Sequence, residues 1–189
     1  MTVDALPTRA QALALVHEWI ANENLRKHCY AVEAAMRAYA RREGHDEERW
    51  GLTGLIHDFD WERHPDAERH PMLGVEHLRA TGWPEDICRA VLGHATYSGV
   101  ARDTRMAQAL FACDELCGFL VACALVVPSR SLLDVEVPSV RKKLKSSGFA
   151  RNVNRDDILQ GAAELGVDLD EHIAFVLDSM RAIRAELGL

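Results

Sequence analysis

Residues 104–127 read TRMAQALFACDELCGFLVACALVV, a long and mostly apolar stretch that stops at Pro128. A helix there would be the central buried one. Its most apolar part, GFLVACALVV at 118–127, is too short to cross a bilayer, which takes about 20 apolar residues. One residue sits badly in such a helix. Asp114, within ALFACDELCGF, carries a carboxylate into apolar surroundings, which is costly unless it is paired, hydrogen-bonded or bound to a cation.

Outward from this stretch the chain keeps reading as helix. Leu13, Val16, Trp19 and Ile20 recur at a helical period over 8–21. Segment 24–43 has Asn22 or Asn24 to cap it and Gly44 to end it. A third helix is expected after Asp46, through Trp50 and Leu52 to Ile56. A fourth runs from about Pro71 to Ala80, and Pro84 opens a fifth, PEDICRAVLGHA. The C-terminal part offers PSVRKKLKSSGF, NRDDILQGAAELG and DLDEHIAFVLDSMRAIRAELG. The last carries one apolar stripe of Ile173, Val176, Leu177, Met180 and Ile183. Only LLDVEV at 132–137 hints weakly at a strand. The expected fold is all-α, a single-domain helical bundle over residues 1–189 with no repeat or linker dividing it.

Composition narrows the class. The chain has 189 residues, enough to bury a core, with 48% hydrophobic and 27% charged residues, ordinary for a globular protein. A net charge of -7 argues against binding a nucleic-acid polymer, though a small phosphorylated compound needs only local positive charge. The N-terminal MTVDALPTRAQALALVHEWI lacks the regions of a secretory signal, so no membrane association is expected and the protein is expected to be cytoplasmic. Cys29, Cys88, Cys113, Cys117 and Cys123 lie in apolar helical segments with no CxxC pair, and read as reduced core thiols. The long apolar helices would serve a homodimer face or a single core equally well.

The stretch GLIHDFDWERHP, residues 54–65, sets His57 beside Asp58 at the end of an apolar run. Neighbours on a helix point about 100° apart, so the two converge on one point only where the helix ends or beyond its flank. A metal ion rewards such convergence, provided other segments supply ligands. The nine histidines include His28 in LRKHCYAVEAAM, His70 before Pro71, and His94 near the end of the fifth helix.

The order His28, His57-Asp58, His70, His94, Asp114 resembles the HD-domain superfamily of metal-dependent phosphohydrolases, specifically a subgroup of small HD hydrolases. HPMLGVEHL and AVLGHATYSG resemble the segments that supply the two additional histidines of the fuller motif, here His70 and His94. The resemblance covers about 22–127, with about 128–189 as a C-terminal helical extension. It implies a bundle whose inner ends hold one or two divalent transition-metal ions. His28, His57, Asp58, His70, His94 and Asp114 would be the ligands, Asp58 the bridge, and Asp58, His70 and His94 the residues closest to catalysis.

Imidazole and carboxylate ligands suit Fe, Mn, Zn, Co or Ni. Such ions acidify water and clamp a phosphoryl oxygen, so the expected activity is hydrolysis of a small phosphorylated metabolite or nucleotide through a metal-activated water. A mixed-valent di-iron oxygenase and a non-catalytic nucleotide- or metal-binding module are the alternatives. HDFDW and HATYSG depart from the HDIGK and GYP segments of cyclic-dinucleotide phosphodiesterases, and Asp60 and Glu62 flank Trp61 where alarmone hydrolases carry an acidic pair. In RKKLKSSGFARNVNR, Lys142, Lys143 and Lys145 are the candidates for holding phosphate, and Arg26 and Lys27 have a similar claim. His64 and His77 compete for ligand roles; His17, His45 and His172 read as solvated or packing residues.

Overall fold

A computed structural model describes residues 6–189; the first residues of the N-terminal stretch read above lie outside them. Among the described residues there are ten α-helices and no strand. In chain order they are α1 (Arg9–Trp19), α2 (Glu23–Glu43), α3 (Glu47–Ile56), α4 (Met72–Ala80) and α5 (Glu85–His94), then α6 (Arg105–Leu125), α7 (Val137–Leu144), α8 (Arg155–Glu164), α9 (Leu169–Ala182) and α10 (Arg184–Leu187). Side-chain caps fix several starts. Thr8 and Gln11 form a capping box on α1, and Asn22, Asp46 and Thr104 cap α2, α3 and α6. Gly44 ends α2 in the left-handed region.

As expected, α6 is the core helix. It is the one described helix long and apolar enough to cross a membrane, yet 61% of that window is buried inside the fold. Leu110, Leu116, Phe119 and Leu120 are wholly hidden, each contributing about 1.5–3 kcal/mol by leaving water. They share one core with Met36 and Tyr39 of α2 and Leu52 and Leu55 of α3. All five cysteines are free and buried in it. Helix α3 lies very close along α2: a Cβ at Gly54 would come within 2.9 Å of the Val32 carbonyl oxygen. That approach brings the end of α3 beside His28.

Helices α8 and α9 pack against α6, and α9 also against α2. Their grip centres on Ala112. A Cβ at Gly161 would come within 2.6 Å of the Ala112 Cα, and His172 Nε2 donates to the Ala112 carbonyl at 2.9 Å. Arg102, just before α6, forks onto Glu164 at 2.6 and 2.7 Å and donates to the Gly93 carbonyl at 3.1 Å.

Two local expectations are corrected. LLDVEV is not a strand: Leu132–Asp134 form a 3₁₀ turn, and Val137 begins α7 with Pro138 in its first turn, where a missing N–H costs nothing. The last apolar stripe is not one helix. It breaks at Ile183 (φ -111°, ψ 18°) and resumes as α10.

Candidate metal centre

Helix α3 ends at Ile56, and the chain passes through successive turns to Arg63, so His57, still at helical angles (φ -56°, ψ -36°), and Asp58 stand at the end of the helix. His57 turns inward, its Nδ1–H donating to the Gly54 carbonyl at 2.8 Å. Its Nε2 lies 3.2 Å from His28 Nε2 of α2 and 3.4 Å from Asp114 Oδ1 of α6, and His28 Nε2 is 3.0 Å from that same oxygen. On the other side of Asp58, His70 Nε2 and His94 Nε2 stand 3.3 Å apart, each 3.4 Å from Asp58 Oδ1. Asp58 Oδ2 faces the first group instead, 3.5 Å from His57 Nε2 and 3.8 Å from His28 Nε2. The adjacent pair in GLIHDFDWERHP therefore converges, with one carboxylate facing two groups of histidines.

The protons fit a cation between these atoms. A carbonyl only accepts, so the Nδ1 of His57, bonded to Gly54, and that of His94, bonded to Val91, both carry hydrogen. His70 Nδ1 faces the Asp60 carboxylate at 2.8 Å and carries hydrogen too. When these three rings are neutral, their Nε2 atoms are bare lone pairs that face imidazole nitrogens and carboxylate oxygens. In the Asp58–His70–His94 group nothing then donates unless a proton or a metal ion enters; in the other, His28 Nε2–H can donate to Asp114 Oδ1 at 3.0 Å.

Titration reflects the same deficit. Burial alone would lower His57, but the Asp58 and Asp114 charges push it up to about 9. His94 is raised by Asp58 against its burial. Burial opposes ionisation of Asp58 and Asp114, yet facing His57 and its histidine partners holds both well below the usual carboxylate range. The site collects positive charge. Its triads, His28–His57–Asp114 and Asp58–His70–His94, have ligand atoms close enough to share one divalent ion each, and the nitrogen and oxygen donors suit a transition metal.

The cluster opens into a pocket of about 280 Å³, walled by Trp61, Tyr97, Phe111, Glu115 and Asp157. Burial and the Asp114 charge push Glu115 up to about 7. Lys142, Lys143 and Lys145, expected near the phosphate, do not line this pocket, which has no lysine or arginine in its wall. Helix α7 packs on α9 and on α6, with Lys143 bonded to Ser139 and lying near Cys123, more than two helical turns beyond Asp114. Arg26 is held by the Ile20 and His17 carbonyls and by Glu23. Lys27 faces a neighbouring pocket that touches His28.

The other histidines stay outside the cluster. His64 and His77 pack against the Trp19 ring, His45 stacks on Trp50, and His17 meets the Tyr30 hydroxyl. Two functional positions escaped the sequence reading. Asp60, wholly buried, holds His70 and accepts from the Gly74 N–H at 3.0 Å. Its place between Phe59 and Trp61, two residues after Asp58, was the available signal. Glu115 was visible only as the residue after Asp114.

Residues 25–118 match the family model described as HD domain, and that stretch contains all six converging residues. No curated protein and no solved structure matches the chain. With the matched stretch, the all-helical fold and the converged histidines and carboxylates together, residues 25–118 form an HD domain.

Proposed function

We propose that this protein is a metal-dependent phosphohydrolase. It holds two divalent transition-metal ions, one per triad, and acts on a small phosphorylated metabolite or nucleotide. The observation that carries the reading is Asp58, whose two oxygens face two separate groups of imidazole nitrogens. Bound divalent ions supply an acidified water and Lewis-acid relief of phosphoryl charge.

The chain supplies the rest. Gly54 and Val91 carbonyls fix the tautomers of His57 and His94, and Asp60 fixes His70, so the rings are oriented before anything binds. Trp61, Tyr97 and Phe111 wall the pocket and restrict water around the reacting group. With no lysine or arginine in that wall, neutralisation of the phosphate falls to the metal centre, and Glu115 and Asp157 face the organic part of the substrate.

The test is elemental analysis of untagged protein purified without chelator, followed by phosphate release from a panel of phosphoesters with added manganese, zinc, iron, cobalt or nickel. About two ions per chain with metal-dependent phosphate release supports the reading. Iron-specific colour with oxygen consumption and no phosphate release assigns an oxygenase on the same ligands. A full metal load with tight nucleotide binding and no turnover assigns a binding module.

A further inference from the structure

Helix α6 carries Asp114, Gly118, Val121 and Leu125 at spacings of four, three and four residues, which puts them on one face. Asp114 is at the metal centre. Gly118, one turn on, lines both the metal pocket and a second, larger pocket of about 870 Å³; His28 and Trp61 also face both. Leu25, Val121, Leu125 and Leu187 make the apolar wall of that second pocket, and Lys27 and Asn152 also line it.

Packing does not require glycine at 118. A Cβ built there meets nothing within 4 Å. Glycine inside a helix costs about 1 kcal/mol relative to alanine, so its place in the core helix has another physical use. A side chain at 118 would stand in the passage between the two pockets. The helix face thus runs from a ligand, past a missing side chain, onto two aliphatic ones.

We infer that Gly118 is an aperture, and that the groove beyond it binds the apolar portion of a ligand whose head group sits at the metal centre. For the phosphohydrolase reading, on which the head group alone rests, the substrate class becomes phosphoesters with an aliphatic or ring-bearing tail. Gly118 sets access to the groove, and Val121 and Leu125 set the length it accepts.

The experiment is calorimetric titration of the metal-loaded full chain with methylphosphonate and octylphosphonate, which are not hydrolysed, and with octanoate. Each methylene removed from water is worth about fourfold in affinity, so three buried methylenes give about sixtyfold. Octylphosphonate is expected to bind at least about tenfold tighter than methylphosphonate. Gly118→Leu collapses that ratio towards one with metal content retained, and Leu125→Glu reduces it. Equal affinities in the native protein, or a ratio that survives Gly118→Leu, overturn the inference. Octyl compounds that bind while methylphosphonate does not, with the gain still lost in Gly118→Leu, keep the groove and overturn the phosphate reading. A dimer broken by Leu125→Glu, with no chain-length gain, assigns the groove to a second copy and overturns it.

Discussion

His172 and His70 are about equally hidden from solvent, 0% and 2% exposed, and their surroundings treat them in opposite ways. His172 Nε2–H donates to the Ala112 carbonyl, which leaves Nδ1 as acceptor for the Tyr39 hydroxyl. Both ring nitrogens are satisfied, and burial lowers the group to about 4. His70 is satisfied on one side only; its other nitrogen meets the His94 nitrogen and an Asp58 oxygen. Burial therefore does not separate a packing histidine from a ligand. The balance of donors against lone pairs does: His172 closes it with protein groups, and the Asp58–His70–His94 group closes it only with a proton or a metal ion.

The largest effect that would break this contrast is at the bridge. Asp58→Ala is expected to abolish metal binding and turnover together, because one triad loses a member and the other loses the carboxylate oxygen that faces it; metal content by elemental analysis checks it, and retained metal would remove Asp58 from the site. His94→Ala should come next, lowering metal from about two ions per chain to about one, since it empties one triad only.

For His172 the effect is on stability. Its folded pKa of about 4 lies below the ordinary 6.5, so the unfolded chain takes the proton first as pH falls. The stability tied to its neutral form is complete above 6.5 and declines towards 4, by about 3 kcal/mol. Urea unfolding between pH 7 and 4, with His172→Gln as reference, should show that slope in the native chain alone. An equal slope in both chains would mean His172 is not the buried neutral group described.

Asp60→Asn should then weaken metal affinity by about 10- to 100-fold without removing a ligand, by loosening the His70 ring. A chelator competition titration reads that change. Smallest is the triple replacement of Lys142, Lys143 and Lys145 by alanine, expected to alter phosphate release by less than about twofold. A tenfold loss would restore them to the substrate.

The six converging residues were legible because each residue type occupied a helical setting whose burial could be argued from its neighbours, Asp114 most plainly. The partners that orient them were not. Backbone carbonyls such as Gly54 and Val91 leave no mark in a sequence, and Asp60 drew attention only as part of an acidic pair. The lysines lie away from the pocket for a different reason. A basic run records charge density on a helix, while the direction that helix faces depends on what it packs against, and α7 packs on α9 and α6. Likewise the apolar stripe of the last segment continues across Ile183 although the backbone does not, since α9 and α10 both bury that face.

Ala112 lies two residues before Asp114, and it is touched by Gly161 and by His172, both outside the matched stretch 25–118. The six converging residues all lie inside that stretch, yet the helix that carries Asp114 is clasped from two sides, by α2 and α5 within it and by α8 and α9 beyond it. Cut out or grafted elsewhere, residues 25–118 would keep the chemistry of the cluster and half of that clasp, and would end inside α6, seven residues short of Leu125. In this chain, carrying the cluster and gripping its helix are separate properties, and the extension supplies part of the second.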